Sequence, residues 1–491
     1  MTFVKRKLIF IGAGLPSLLV AQNVIREARS RGESVSLTLF DADRSPGGLY
    51  RSHSYAGGLR FDHGMHIYYE TGDHDLDSIW SSLLSESDWC VLDGNSKDIA
   101  GVFFNGRLQK HSPYPDLRNQ GLLRRIRDMA SICQAAVRYP NLTRELSHHD
   151  LTAEDYFIHR FGRGVYSKYF DMILRKLFGF DGKDLSSIST QLLALNRVVI
   201  LPLWIMKLLV RVRFVSNRVA FPDQMNLPNV RRNHARGLYP KIMGIGAVTS
   251  RLSAQLEREG AEFHIGARVS GLSIDSGVVS KIHYLSREGI ESSIDCRDSD
   301  VFWNAGSATL ESVVRSSGML APQEDSKEHQ GGIGRVSVVV DCLMRKPNLI
   351  SPLYYFYCFD EPYRTFRVTN FAAYSPGASH DEWDQICVEL WIPPSWDDRQ
   401  IRNSAAEELH AMGVIRQLDD LRVLGTRVLS SGFPTLTLNL VQSLRTMSGV
   451  IQSYSLENFT AVGVARDPSI FFLKDVLLHL KSEVWTKLSW A

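Results

Sequence analysis

The sequence predicts an α/β protein in which an open, mostly parallel sheet is interrupted twice by a second domain of mixed α+β character. Three observations carry this expectation. The chain opens on strand, glycine-rich turn, helix and strand. Two later stretches, residues 236–273 and 298–305, read as loop, helix and buried strands that return the chain to the first sheet. A strongly helical tract, about residues 119–215, and a β-rich region after residue 332 (VSVVVDCLM, LYYFYCF, ICVELWI, FPTLTLNLV) supply the second domain.

In the opening unit, residues 7–11 are a β-rich apolar run, residues 12–17 the turn, residues 18–30 the helix, and residues 34–40 a second strand ending on Asp41. Gly12 permits a tight turn, Gly14 lets backbone N–H groups approach a pyrophosphate, and the helix N-terminus adds its positive dipole end. Ser17 stands where the pattern has a third glycine. Asp41 is placed to accept hydrogen bonds from a ribose. Gly12, Gly14, Leu15, Pro16, Ser17 and Asp41 are therefore candidate dinucleotide-binding residues. Lys5, Arg6 and Lys7 before the apolar run also fit a signal peptide, but no small-residue cleavage site follows. The run passes straight into a polar helix carrying Val24 and Ala28 on its stripe, which favours strand, turn and helix.

With 491 residues, 44% apolar, and a net charge of +3, the chain can bury a large core and lacks the electrostatic signature of a nucleic-acid binder. Six scattered cysteines without a CxxC read as a reduced, cytoplasmic protein with no disulfide framework and no metal site. The apolar segment 198–210 is broken by Pro202 and Lys207 and falls short of the ~20 residues of a spanning helix. Its basic flanks fit an interfacial helix touching a membrane, although a buried helix of the second domain is the favoured reading. The expected division assigns residues 1–105, 230–310 and 445–491 to the first domain. Residues 106–229 form the helical part of the second domain and residues 311–444 its β-rich part.

The stretch Asp41-Ala42-Asp43-Arg44-Ser45-Pro46-Gly47-Gly48, followed by Gly58-Leu59-Arg60-Phe61-Asp62-His63-Gly64-Met65-His66, resembles the clan of flavin amine oxidases, protoporphyrinogen oxidases and UDP-galactopyranose mutases. Further matches are Asn105-Gly106-Arg107, Tyr114-Pro115, Phe161-Gly162-Arg163, Lys176-Leu177-Phe178-Gly179, Tyr239-Pro240-Lys241, Gly463 and Asp475. The resemblance implies a Rossmann-like (GR2-type) FAD-binding domain interrupted by a mixed α+β substrate domain. It implies non-covalent FAD, with Ala42, Gly47, Gly48, Leu49, His63, Gly64, Met65, His66, Val269, Asn304, Gly463 and Asp475 among its contacts. Phe178 stands where mutases usually carry Trp, and Val464 where they carry Arg, so the resemblance to protoporphyrinogen-oxidase-like proteins is the better fit.

Two chemistries follow from that resemblance, with a third reading in which FAD is only structural. One is an oxidoreductase, with NAD(P)H as a candidate reductant. The other is a mutase, in which reduced flavin acts on a sugar without net redox change. His66 is the candidate catalytic residue. Tyr68, Arg163, Tyr166, Arg175, Lys176 and Phe178 are the candidate substrate-binding residues. Residues 160–176 carry Arg160, Arg163, Lys168, Arg175 and Lys176 against the single acid Asp171. That excess points to a polar small molecule, sugar-containing or nucleotide-linked and phosphorylated. The oligomeric state stays open.

Overall fold

The computed structural model describes residues 5–140, 151–232, 234–242, 244–320, 335–429 and 435–490. The chain divides into two compact units, one of Met1–Trp89, Gly244–Ser326 and Asn439–Ala491, the other of Cys90–Met243 and Lys327–Leu438.

The first unit is α/β and Rossmann-like. Its parallel sheet runs Glu262–Ile265, β2 (Ser34–Asp41), β1 (Lys5–Ile11), Ser299–Trp303, Phe459–Ala461. Leu8, Ile9, Phe10 and Ile11 of β1 are all buried, so both faces of the central strand are covered and its sequence is a continuous apolar run. On one face, α1 (Leu15–Ser30) buries Leu18, Leu19, Val20, Val24 and Ile25. A core of Ile9, Phe40, Val269, Leu272, Val279, Ile282, Trp303, Leu310 and Val313 joins the sheet to an antiparallel meander, Arg268–Asp275, Val278–Leu285 and Glu291–Asp295.

Two segments depart from the sequence expectation. The strand anticipated at the end of 236–273 breaks at Gly266, whose φ of +72° makes a turn, so Glu262–Ile265 enters the parallel sheet and Arg268–Asp275 the meander. Residues 433–441 were expected as a strand. Residues 433–434 lie outside the described residues, and a helix, Leu438–Ser453, starts within the remainder. Val441, Leu444, Met447 and Ile451 are its buried positions, a helical spacing that overrides the short alternation before it.

The second unit holds a seven-stranded sheet ordered Leu421–Val428, Val336–Arg345, Trp383–Ile392, Thr365–Asn370, Tyr355–Cys358, Ala100–Phe104, Arg107–Gln109. All its pairs are antiparallel except Tyr355–Cys358 with Ala100–Phe104. That pairing carries residues 100–104 into this unit. The unit boundaries thus fall after residues 89, 243, 326 and 438, against 105, 229, 310 and 444 read from the sequence. Helices Leu122–Arg138, Ala153–Phe161 and Asp171–Phe178 pack around stacked Phe157, Phe161 and Phe170.

The segment 198–210 is not the buried helix favoured from its apolarity. Val198, Val199 and Ile200 are buried in extended backbone that bridges to Val219 and Asp116. After Pro202 the helix Leu203–Leu209 buries only Met206, and Trp204 and Leu208 stand 66% and 75% exposed. No helix among the described residues is long and apolar enough to cross a membrane.

Candidate functional site

In the first unit, the turn carrying Gly12 and Gly14 meets the loop carrying Gly47 and Gly48 at the N-terminus of α1. A Cβ on Gly12 would lie 2.8 Å from the Asn304 carbonyl oxygen, so the protein's own strands require this glycine. Gly14 differs. Its backbone is extended, it caps α1 with no side-chain hydrogen bond, and a Cβ there would meet only Pro16 Cδ at 3.7 Å. The direction in which a Gly14 side chain would point is open, and no side chain among the described residues caps the first-turn amides. The Gly47 amide donates to the Ala13 carbonyl at 2.8 Å, and a Cβ on Gly48 would sit 3.3 Å from Gly14 Cα. The GG loop is thereby stitched to the turn. Asn304 Nδ2 donates to Ser17 Oγ at 3.0 Å, so Ser17 is buried and its hydroxyl is used within the protein.

Asp41 ends β2 beside this turn. Its Oδ1 accepts from the Asp43 amide at 2.9 Å, and burial pushes its carboxyl above the usual range. The Ala267 amide donates to the Asp41 carbonyl oxygen, and His264 stacks on Phe40 with centroids 4.5 Å apart. Phe40 and His264 were missed in the sequence because their stacking depends on pairing strands more than 220 positions apart, β2 and Glu262–Ile265. Ala42 and Leu49 are exposed, Gly64 is buried, and His63, Met65 and His66 are half-buried. His66 Nδ1 lies 3.4 Å from the Gly64 carbonyl oxygen, and its ring meets Tyr50 edge-on at 5.3 Å. Val269 is buried in the meander core. Gly463, with φ +64°, heads the turn Gly463–Ala465, and Asp475 is exposed in the first turn of Leu473–Leu488, where it complements the helix's positive end. Tyr68, assigned to substrate from its position, is wholly buried: its hydroxyl donates to Asp77 at 2.8 Å and its ring stacks on Trp80.

In the second unit the cationic tract is less available than its composition suggested. Arg160 donates to the carbonyls of Asn196 and Asn217, Arg163 is 76% exposed and 3.6 Å from Glu154, and Lys168 pairs with Asp128. Arg175 bridges Asp171 and Asp181, each at 2.9 Å. Acids from outside the tract meet most of its charges, which the local count missed. Arg163, Tyr166 and Tyr169, three residues apart, do not share an exposed face. A π-helical turn, Tyr166–Phe170, turns both tyrosines inward, where their hydroxyls donate to Asp171 and Asp128. Phe178 is buried.

Of the substrate candidates, only Arg175 and Lys176 come together, in a pocket of about 270 Å³ with Arg335, Glu361, Tyr363, Arg364 and Trp391. Lys176 is buried and donates to the Tyr363 carbonyl. Arg335 donates to the carbonyls of Lys176 and Leu177 at 2.9 and 2.7 Å and lies 4.5 Å over the Trp391 ring. Burial pushes Arg335 down to about 10, and Arg364 beside it acts in the same direction.

The sheet itself carries a second feature the sequence reading passed over. Alternate residues share a face, and register puts Arg367 opposite Glu389, and Asp341 opposite Cys387. Arg367 makes a two-pronged pair with Glu389, and Arg427 with Asp341 at 2.9 and 2.7 Å; both carboxylates are buried and both arginines half-buried. On the same face, Ser337 Oγ, Thr369 Oγ1, Gln385 Oε1 and Trp391 Nε1 are buried without a hydrogen-bond partner among the described residues. Buried polar atoms are normally satisfied, so this face has capacity for a polar ligand or water. The signal was present: charged residues at one parity within otherwise apolar strands. The opposite face, with Val338, Val340, Val388, Leu390 and Val368, is apolar.

Residues 11–83 match the NAD(P)-binding Rossmann-like domain family. A reduced UDP-galactopyranose mutase structure aligns with a TM-score of 0.70 and 15% identity, over 99% of this chain and 96% of its own. The chain shares that fold. A protein from Pyrococcus furiosus (TM-score 0.54, 12% identity, 98% and 97% covered) and an oxidoreductase from Methanosarcina mazei (0.53, 14%, 97% and 99%) align as well. No curated protein sequence matches the chain. Among the described residues no cluster of three or more His, Cys, Asp or Glu is arranged to hold a metal.

Proposed function

We infer that this chain is an FAD-dependent enzyme acting on a polar, anionic small molecule, a sugar phosphate or nucleotide-linked sugar. The observation that carries the cofactor assignment is the open surface at Gly14: an uncapped helix N-terminus, a position that tolerates a side chain within the protein yet has none, and an acid at the end of β2. Gly14, the first-turn amides of α1 and Asp41 would hold the pyrophosphate and ribose, with Gly47 and Gly48 following the same backbone surface. When bound, a flavin supplies hydride transfer or, once reduced, a nucleophilic nitrogen, which serves oxidoreductase and mutase chemistry alike. Gly64 holds the loop from which His66 would meet the reacting groups as a proton donor or acceptor.

The polar substrate is supported by the second unit. Lys176, Arg335 and Arg364 line its pocket and make no ion pair among the described residues, and the polar atoms of the sheet that lack a partner among those residues suit a polyhydroxylated ligand. The mutase reading draws on the name of the structure sharing the fold. Anaerobic addition of NADH or NADPH, followed by a panel of sugar phosphates and nucleotide sugars, separates the readings. Bleaching of the flavin by nicotinamide and its reoxidation by a panel member supports an oxidoreductase. Isomerisation of a nucleotide sugar only after reduction supports a mutase. A flavin that responds to neither leaves FAD structural and removes the enzyme reading.

A further inference from the structure

We propose that the two short helices at residues 203–218 form a membrane-docking surface that lies on an anionic lipid bilayer. This is independent of the flavin reading. The segment comprises two short helices, Leu203–Leu209 and Arg213–Arg218, of which the second is held by hydrogen bonds and the first by Met206. Met206 and Val215 are buried, Arg197 Nε donates to the Ser216 carbonyl at 2.9 Å, and Arg218 donates to the carbonyls of Arg160 and Tyr139 at 3.0 and 2.8 Å. On this segment Trp204, Leu208 and Phe214 project to solvent, and Lys207, Arg211 and Arg213 are exposed between them. Trp204 and Leu208 stand exposed on a helix whose one buried residue is Met206, an apolar pair that a water-facing surface has little reason to present.

Charge selects the occupant. Residues 185–222 contain no acidic residue, and Lys207, Arg211 and Arg213 make no ion pair among the described residues. A second copy docking through the same patch about a two-fold axis would oppose these cations to themselves. Anionic headgroups match them while the acyl boundary receives the indole and leucine, the arrangement of a helix lying in the interfacial plane. The segment is too short to cross, so it lies on the bilayer.

The test is sedimentation of the full chain with vesicles of phosphatidylcholine alone or mixed with phosphatidylglycerol. The expected result is binding to the mixed vesicles and at least about tenfold weaker partition onto phosphatidylcholine, with release at high salt. Trp204→Ser with Leu208→Ser, and separately Lys207→Glu with Arg211→Glu and Arg213→Glu, should each lower partition at least about tenfold. These side chains are exposed, so both variants should keep the parent's unfolding midpoint. Absence of binding to the mixed vesicles overturns the proposal, as does equal binding by the parent and by either variant. A parent that dimerises instead, and becomes monomeric with Trp204→Ser and Leu208→Ser, would assign the patch to a second copy.

Discussion

The glycine turn of the first unit and the cationic pocket of the second are sites of opposite construction. The first is built by omission: Gly14 has no side chain where the protein leaves room for one, and the groups it presents are backbone amides. The second is built by convergence, with Arg335 and Trp391 reaching Lys176 from positions 159 and 215 residues along the chain. A site made of backbone is local and can be read from spacing. A site made of side chains depends on which neighbours the fold supplies, and local composition misleads, as the acid-paired Arg163, Lys168 and Arg175 demonstrate.

The largest effect that tests this contrast is expected inside the convergent region. Arg367→Ala strands the Glu389 carboxylate in a buried sheet face and should destabilise the protein by about 3–5 kcal/mol in denaturant unfolding. A loss under about 1 kcal/mol would mean that water reaches the face freely. In the first unit, Gly12→Ala forces a Cβ against the Asn304 carbonyl at positive φ and should cost about 2–4 kcal/mol, whereas Gly14→Ala, with φ −69°, should leave the unfolding midpoint nearly unchanged. Equal losses would erase the distinction between a glycine kept for the protein and one kept for a ligand.

Asp116, in the second unit, gives a pH handle of intermediate size. Burial alone would raise its carboxyl, but bonds from His111 and Arg118 hold it down at about 2. Because the folded value lies below the unfolded one, the contribution is present above about pH 4 and fades as pH falls towards 2, amounting to about 2 kcal/mol at neutrality. Asp116→Asn should remove it at pH 7 and change little near pH 2. An unaltered acid-unfolding curve would show the pairing to be spurious. The smallest contrast lies within the cations: Arg335→Ala should raise KM for a phosphorylated substrate about tenfold with FAD content intact, and Arg163→Ala, exposed beside Glu154, should change KM less than about twofold. The reverse ranking would restore the helical tract as the substrate surface.

The legible part of the fold was the part governed by short-range rules. β1, α1 and β2 follow from an apolar run, two glycines and a terminal acid, and the meander from alternation at residues 278–295. Residues 438–441 were misread because a few alternating residues precede a longer helical spacing. The segment after Pro202 was misread because apolarity was equated with burial. Arg335, Arg364 and the buried Arg367–Glu389 pair could be seen only after strands far apart in sequence had been paired, since their chemistry lies in the register.

In the proposed enzyme the open surface at Gly14 receives the dinucleotide half of FAD. The direct measurement is the visible spectrum of the purified protein and of Gly14→Val, with the cofactor identified after heat release. The expected result is a yellow parent that releases FAD rather than FMN, and a colourless Gly14→Val protein that folds with the unfolding midpoint of the FAD-stripped parent, because the added side chain occupies the pyrophosphate's approach without clashing with the protein. A parent that is colourless and takes up no added FAD, or a Gly14→Val protein with full flavin content, would contradict it.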